Sequence, residues 1–165
     1  MTRFFEDVHI GENITLGSHT FSRDEIVEFA ERFDPQRFHI DEEAATASPF
    51  GGLIASGWQT GAVWMRLMAE HRQRAKEVEK LAPDEHQPRT GPSPGLRELK
   101  WILPVRPGDI ITYSSRVVEK NTLFSQPNWG VIASLNEGVN QKDELVLSFI
   151  GEILVERRSP RTHNG

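Results

Sequence analysis

The sequence predicts a single α+β domain in which one long helix lies across an antiparallel sheet. Helical spacing of apolar residues is confined to the stretch from Ser22 to Lys80, whereas strand-like alternation fills the stretch from Leu96 to Glu156. Helices segregated from a run of strands mark this class. A third observation is the run from Leu53 to Ala69, apolar almost all round at its start, as a helix at the centre of a core must be.

The elements follow in order. Residues 1–21 read as an entry segment and a short strand, Ile14 to Phe21. Ser22 then serves as an N-cap, with Glu25 three residues on completing a capping box. Ile26, Phe29, Ala30 and Phe33 give the first helix one apolar face. Asp34-Pro35 stops it, because the residue before proline is pushed out of the helical region. Asp41-Glu42-Glu43 opens a second short helix through Ala47, with its acids at the favourable end of the helix dipole. Ser48 to Gly52 is a loop, and the long helix is expected from Leu53. From Glu70 to Lys80 its pattern turns charged, a solvated face.

The stretch 82–95 holds four prolines and two glycines and reads as a loop. Four strands are expected after it: Leu96 to Val105, Ile110 to Glu119, Val131 to Val139, and one ending near Glu156. Ile111, Tyr113, Ser115 and Val117 share one face of the second of these. Leu145, Leu147, Phe149, Gly151, Ile153 and Val155 share one face of the last. The end from Arg157 to Gly165 is polar and reads as a tail.

The chain has 165 residues, enough to bury a core without staples. It has no cysteine, which excludes a disulfide framework and thiolate chemistry. A net charge of −5 argues against a sequence-independent grip on nucleic acid. The run 53–69 is interrupted by Ser56, Gly57, Gln59, Thr60, Gly61 and Arg66, so it reads as a core helix rather than a membrane span. With no secretory signal pattern at Met1–Asp7, the expected location is the cytoplasm. Phosphate-binding loops, dinucleotide fingerprints and zinc motifs are absent from the sequence, and the scattered His9, His19, His71, His86 and His163 show no metal-ligand spacing. Neither a metal nor a cofactor is expected.

One stretch does carry chemistry. Asp34 and His39 lie five residues apart in an irregular turn between two helices, where both side chains can be aimed at one point. Taken singly, an aspartate before proline is a helix stop and a histidine in a turn is a brace. The segment Phe50-Gly51-Gly52-Leu53-Ile54-Ala55-Ser56-Gly57-Trp58 then opens a buried helix, whose free N–H groups and positive dipole end can hold an oxyanion. Trp58, Trp64 and Met65 read as core or dimer contacts, and Arg66 as a residue that snorkels or pairs.

These residues resemble the MaoC-like dehydratases and (R)-specific enoyl-CoA hydratases. That family carries an Asp-x-Asn-Pro-apolar-His-x-Asp motif, matched here by Asp34, Phe38, His39 and Asp41, and an Ile-Ala-His-Gly segment, matched by Ile54, Ala55 and Gly57. The run from Leu99 to Asp109 and the Asn140-Gln141 turn are similar as well. The sequence departs from the family at Gln36-Arg37, which stand for Asn-Pro, at Ser56, which stands for histidine, and at Met65, where some members carry a serine.

The resemblance covers residues 10–156. It implies a hotdog domain over 1–156, followed by the tail 157–165. It implies reversible hydration of a trans-2-enoyl-CoA or related acyl thioester, with Asp34 and His39 holding one water as catalytic acid and base. A histidine with an ordinary pKa of about 6.5 suits that task. Gly57 would supply an oxyanion N–H, with Ser56 and Trp58 beside it in the substrate pocket. CoA enters as part of the substrate rather than as a cofactor, and the assembly implied is a homodimer or dimer-based oligomer. A hotdog thioesterase and a non-catalytic acyl-thioester-binding subunit are the alternatives.

Overall fold

The structure is a computed structural model and describes residues 3–78, 86–123 and 125–158. Strand β1 (Asn13–Thr20) leads into helix α1 (Arg23–Phe33), two short helices, α2 (Arg37–Ile40) and α3 (Glu42–Ala47), and the long helix α4 (Gly57–Val78). Strands β2 (Leu96–Trp101), β3 (Ile110–Thr122), β4 (Trp129–Val139) and β5 (Leu145–Glu156) follow. The five strands form one sheet in the order β1-β3-β4-β5-β2, with every neighbouring pair antiparallel. This is the expected α+β arrangement, with α4 packed on one face of the sheet.

Local chemistry explains most of the boundaries. The Ser22 hydroxyl accepts from the Glu25 N–H and caps α1, an interaction worth about 1 kcal/mol. Asp41 caps α3 in the same way through the Ala44 N–H. Phe21 and Ile26 are fully buried and, with Leu16, Val63 and Leu67, tie β1, α1 and α4 into one core. Tyr113 is completely buried, and its hydroxyl donates to the Thr60 carbonyl of α4 at 3.1 Å.

The register places three rows of residues across β3, β4 and β5. They are Tyr113–Gly138–Leu147, Ser115–Asn136–Phe149 and Val117–Ser134–Gly151. The expected face of β3 and that of β5 are therefore the same face. Gly138 lies close under Tyr113 and Ile111: a Cβ there would come within 3.1 Å of each, so these buried side chains would have to give.

The long helix begins later than the sequence suggests. Leu53 to Ser56 is buried but not helical, and the helix starts at Gly57. Its backbone is spent elsewhere: the Ala55 N–H donates to the Val105 carbonyl at 2.8 Å and the Ile54 N–H to the Phe38 carbonyl at 3.4 Å. An apolar run alone does not distinguish a buried helix from a buried extended segment. At its other end α4 continues through the charged stretch to Val78.

Strand β2 is shorter than expected and stops at Trp101. Ile102 still bonds the Val146 carbonyl, but Pro104 has no N–H to continue the ladder. The turn between α1 and α3 contains one helical turn, α2, rather than being wholly irregular.

Of the loop 82–95, residues 82–85 lie outside the described residues. The rest is laid along β5, with a bridge between Thr90 and Val155 and with Arg89 bound to Glu156. Of the tail, Arg157 and Arg158 pair with Glu6 and Asp7, and residues 159–165 lie outside the described residues.

Candidate active site

Asp34 is the C-cap residue of α1, where Pro35 forbids another helical turn. The Gln36 N–H bonds back to the Asp34 carbonyl at 2.7 Å, so the chain turns sharply and α2 begins at once. That single turn presents His39, which is only 4% exposed. The Phe38 ring lies edge-on to it, with ring centroids 4.5 Å apart.

The two predicted catalytic residues meet. His39 Nε2 lies 3.3 Å from Asp34 Oδ2. His39 Nδ1 lies 2.8 Å from the Ile54 carbonyl oxygen. A carbonyl only accepts, so Nδ1 carries a hydrogen and Nε2 is left to face the carboxylate. At 3.3 Å the contact is wider than the roughly 2.7–2.9 Å of a close charge-assisted bond, and both groups are free to engage a third.

Asp34 is held from two further sides. Ser56 Oγ donates to Oδ2 at 2.7 Å, and Gln36 Nε2 donates to Oδ1 at 2.8 Å. Burial pushes this carboxyl up, but the bonds from Ser56 and Gln36, with the adjacent His39, outweigh it and hold the group below the usual aspartate range. Asp34 is therefore an anion with fixed orientation.

Ser56 has a second task as the cap of α4. Its hydroxyl accepts from the Trp58 N–H at 3.2 Å, and its carbonyl accepts from the N–H groups of Gln59 and Thr60. The first turn of a helix leaves four donors without intrahelical partners. Those of Trp58 and Gln59 are taken, and the Thr60 N–H makes the first regular bond of the helix. Among the described residues the N–H groups of Ser56 and Gly57 have no acceptor, and Gly57 is the one of the two that lines a cavity.

Gly57 also has no room for a side chain. A Cβ there would lie 2.4 Å from the indole of Trp101. Trp101 reaches across from β2 and meets Trp58 edge-on, with centroids 5.0 Å apart. Asp34, His39, Gly57, Trp58 and Trp101 line one cavity of about 380 Å³, with Phe50 and Val105 among its other walls. It has the scale and apolar character of a small-molecule site.

Asp34, His39, Gly57 and Trp58 are thus brought to one cavity. Ser56 is fully buried and stands behind Asp34 instead of on the cavity wall. Trp58 and Met65 are 59% and 55% exposed in the single chain, so neither belongs to its core. Arg66 pairs, with His19 at 3.0 Å and with Glu70 at 3.8 Å. Gln36 and Trp101 were missed as site residues. Gln36 sits inside the Asp34–His39 motif, and Trp101 inside the Leu99–Asp109 run, so both could have been found by position alone.

The sequence model of the MaoC like domain matches residues 6–136, most of the chain. The chain is 30% identical over 152 residues to an uncharacterized Bacillus subtilis protein, YdeM, covering 92% of this chain and 98% of that one. Among solved structures it is similar to a MaoC-like dehydratase from Rhodospirillum rubrum, with 34% identity, a TM-score of 0.77, and 95% and 99% of the two chains covered. A protein of Archaeoglobus described as a monoamine oxidase regulatory protein gives 27% identity, a TM-score of 0.76 and coverage of 96% and 99%. The long helix on an antiparallel sheet, the Asp34–His39 turn and the glycine that opens α4 are parts of one hotdog domain, and the chain belongs to the MaoC-like domain family.

Proposed function

We propose that the protein is a hydro-lyase that reversibly adds water to a trans-2-enoyl thioester, with CoA as the carrier. The observation that carries this reading is the meeting of three groups in one cavity: an ionised Asp34, a His39 with Nε2 facing it, and the Gly57 N–H. The family resemblance and the Rhodospirillum dehydratase support the same reaction class.

The geometry suggests a division of labour. A water at the pair gives one hydrogen bond to Asp34 and one to His39 Nε2. Nε2 takes a proton as the water oxygen attacks the β-carbon. The electron pair of the double bond moves onto the thioester oxygen, which the Gly57 N–H receives. One such donor is worth about 3 kcal/mol in the transition state. The imidazolium, steadied by Asp34, returns its proton to the α-carbon on the same face. Water has then been added across the double bond and both residues are regenerated. Dehydration is the reverse sequence.

Ser56 and Gln36 act here as positioning residues, keeping Asp34 charged and aimed. Trp58 and Trp101 form the wall against which the thioester would lie. The working form is proposed to be a cytoplasmic homodimer. Among the described residues β2 is an edge strand, and Leu96, Trp101, Ile102 and Leu103 on and beyond it are 41–55% exposed. No helix among the described residues is long and apolar enough to cross a membrane.

The test is to incubate the purified protein with crotonyl-CoA and longer enoyl-CoAs. Loss of the conjugated thioester absorbance without release of free thiol is expected. Thiol release would make the protein a thioesterase. Unchanged absorbance with retained acyl-CoA binding would make it a binding subunit. Sedimentation at micromolar concentration should give twice the chain mass.

A further inference from the structure

Two turns lie outside the site as described: Arg106-Pro107-Gly108-Asp109 and Asn140-Gln141. The fold joins them. Gln141 Nε2 donates to Asp109 Oδ1 at 2.8 Å, and Gln141 Oε1 accepts from the Ile110 N–H at 3.1 Å. The second carboxylate oxygen, Asp109 Oδ2, accepts from the Arg106 N–H at 2.7 Å, and the Asp109 N–H donates to the Arg106 carbonyl at 3.0 Å. The backbone from which Arg106 projects is therefore held in place.

The Arg106 side chain crosses from this turn to the loop after α3. Its Nη2 donates to the Phe50 carbonyl at 2.6 Å, the one hydrogen bond of this guanidinium among the described residues. A charged donor makes that bond roughly twice as strong as a neutral one. Nη1 lies over Gly52, where a Cβ would come within 3.2 Å of it. The near end of the loop is tied to α3. Ser48 Oγ donates to the Ala45 carbonyl at 2.6 Å and accepts from the Phe50 N–H at 3.2 Å.

Both segments that Arg106 joins are walls of the cavity that holds Asp34 and His39. Phe50 lines it together with Phe38 and His39, and the run 101–105 supplies a further wall. The Phe50 ring packs on Phe38, with centroids 5.0 Å apart. Phe50 and Arg106 are both exposed in part, so the bridge runs along the solvent edge of the cavity. The acid/base pair has other supports: His39 is fixed by the Ile54 carbonyl, and Asp34 by Ser56 and Gln36.

We infer that Arg106 is a positioning residue for the substrate. It straps the Phe50 loop to the connection between β2 and β3 and so sets where the Phe50 ring closes the acyl-thioester cavity, while Asp109 and Gln141 anchor the strap. This rests on the hydratase reading of that cavity. Without the strap the ring has more positions to occupy, and binding must first select one of them, a cost that falls on affinity. Proton transfer is spared, because the pair is held separately.

The experiment compares the full-length parent with Arg106→Met, Arg106→Lys, Phe50→Ala and the double variant Arg106→Met/Phe50→Ala. Hydration of crotonyl-CoA and of crotonyl-pantetheine, which lacks the nucleotide and its phosphates, is measured with butyryl-CoA binding by calorimetry and with Tm. Arg106→Met should raise KM roughly ten-fold for both thioesters, weaken butyryl-CoA binding by a similar factor, and leave kcat within about two-fold. Arg106→Lys keeps a charged donor and should recover most of the loss. The double variant should bind no worse than Phe50→Ala alone, because the strap acts through that ring. Losses that multiply in the double variant would overturn the inference. So would a loss confined to the CoA thioester, which would place Arg106 on the carrier's phosphates, or a lower Tm with unchanged KM, which would make the strap purely structural. A parent that binds butyryl-CoA but hydrates neither thioester would sink the hydratase reading, and the same calorimetric comparison of the four variants would still decide the role of Arg106. Failure of the parent to bind any of these thioesters would overturn both.

Discussion

The Ser56 hydroxyl donates to the same Asp34 oxygen, Oδ2, that faces His39 Nε2. One small side chain therefore joins the start of α4 to the catalytic carboxylate. Replacing Ser56 by alanine should remove that bond and the helix cap together. We expect a stability loss of about 1 kcal/mol from the cap and roughly a ten-fold fall in kcat. The pH profile separates the two effects. Asp34 is depressed in the folded protein, so it stays ionised above the ordinary aspartate range and activity fails only as pH falls below it. In S56A the acidic limb of the kcat profile should move to higher pH, because one of the bonds that depress Asp34 is lost. A lower Tm with an unmoved limb would assign Ser56 to the helix alone.

Gly57→Ala tests the close approach of Trp101. The added methyl would lie 2.4 Å from the indole, well inside contact distance, so the ring or the helix start must shift. We expect at least a ten-fold loss of kcat/KM and a change in tryptophan fluorescence. The double variant Gly57→Ala/Trp101→Ala should recover the fold, read by Tm, without recovering full activity. A fully active G57A with an unchanged Tm would show that the Trp101 contact does not constrain the start of α4.

Far from the site, Glu156 is a stability element with a defined pH window. Bonds from the Arg89 side chain and backbone, with His86, outweigh burial and hold its carboxyl down to about 2. A depressed carboxylate stabilises the fold above its unfolded value near 4.5, and that contribution is lost as pH falls from there toward 2. Glu156→Gln should cost about 1–3 kcal/mol at pH 7 and flatten the acid unfolding curve across this window. Denaturant midpoints at pH 7, 4 and 2.5 would measure it, and parallel curves for parent and variant would refute it.

Much of this was legible in the sequence, for identifiable reasons. Capping residues, proline and acidic first turns act locally, so Ser22, Asp34-Pro35 and Asp41 marked their boundaries correctly. Alternation revealed which faces of β3 and β5 point inward, because period two survives long-range packing. Leu53 to Ser56 was misread as helix because its partners, Val105 and His39, are remote in sequence. The contact of Trp101 with Gly57 forms only through the fold, although Trp101 itself stands inside the Leu99–Asp109 run. Gln36, by contrast, lay in plain view as a departure from the family motif and proves to bond Asp34.

The account rests on Asp34 and His39 acting as one unit on a water. The most direct test is to measure enoyl-CoA hydration by the parent, Asp34→Asn, His39→Gln and the double variant, each checked for an unchanged Tm. Each single variant should lose about 10³-fold or more in kcat, and the double variant should lose little beyond the worse single one, because residues acting together are not additive. Single variants that hydrate as fast as the parent, or losses that multiply in the double variant, would contradict the assignment.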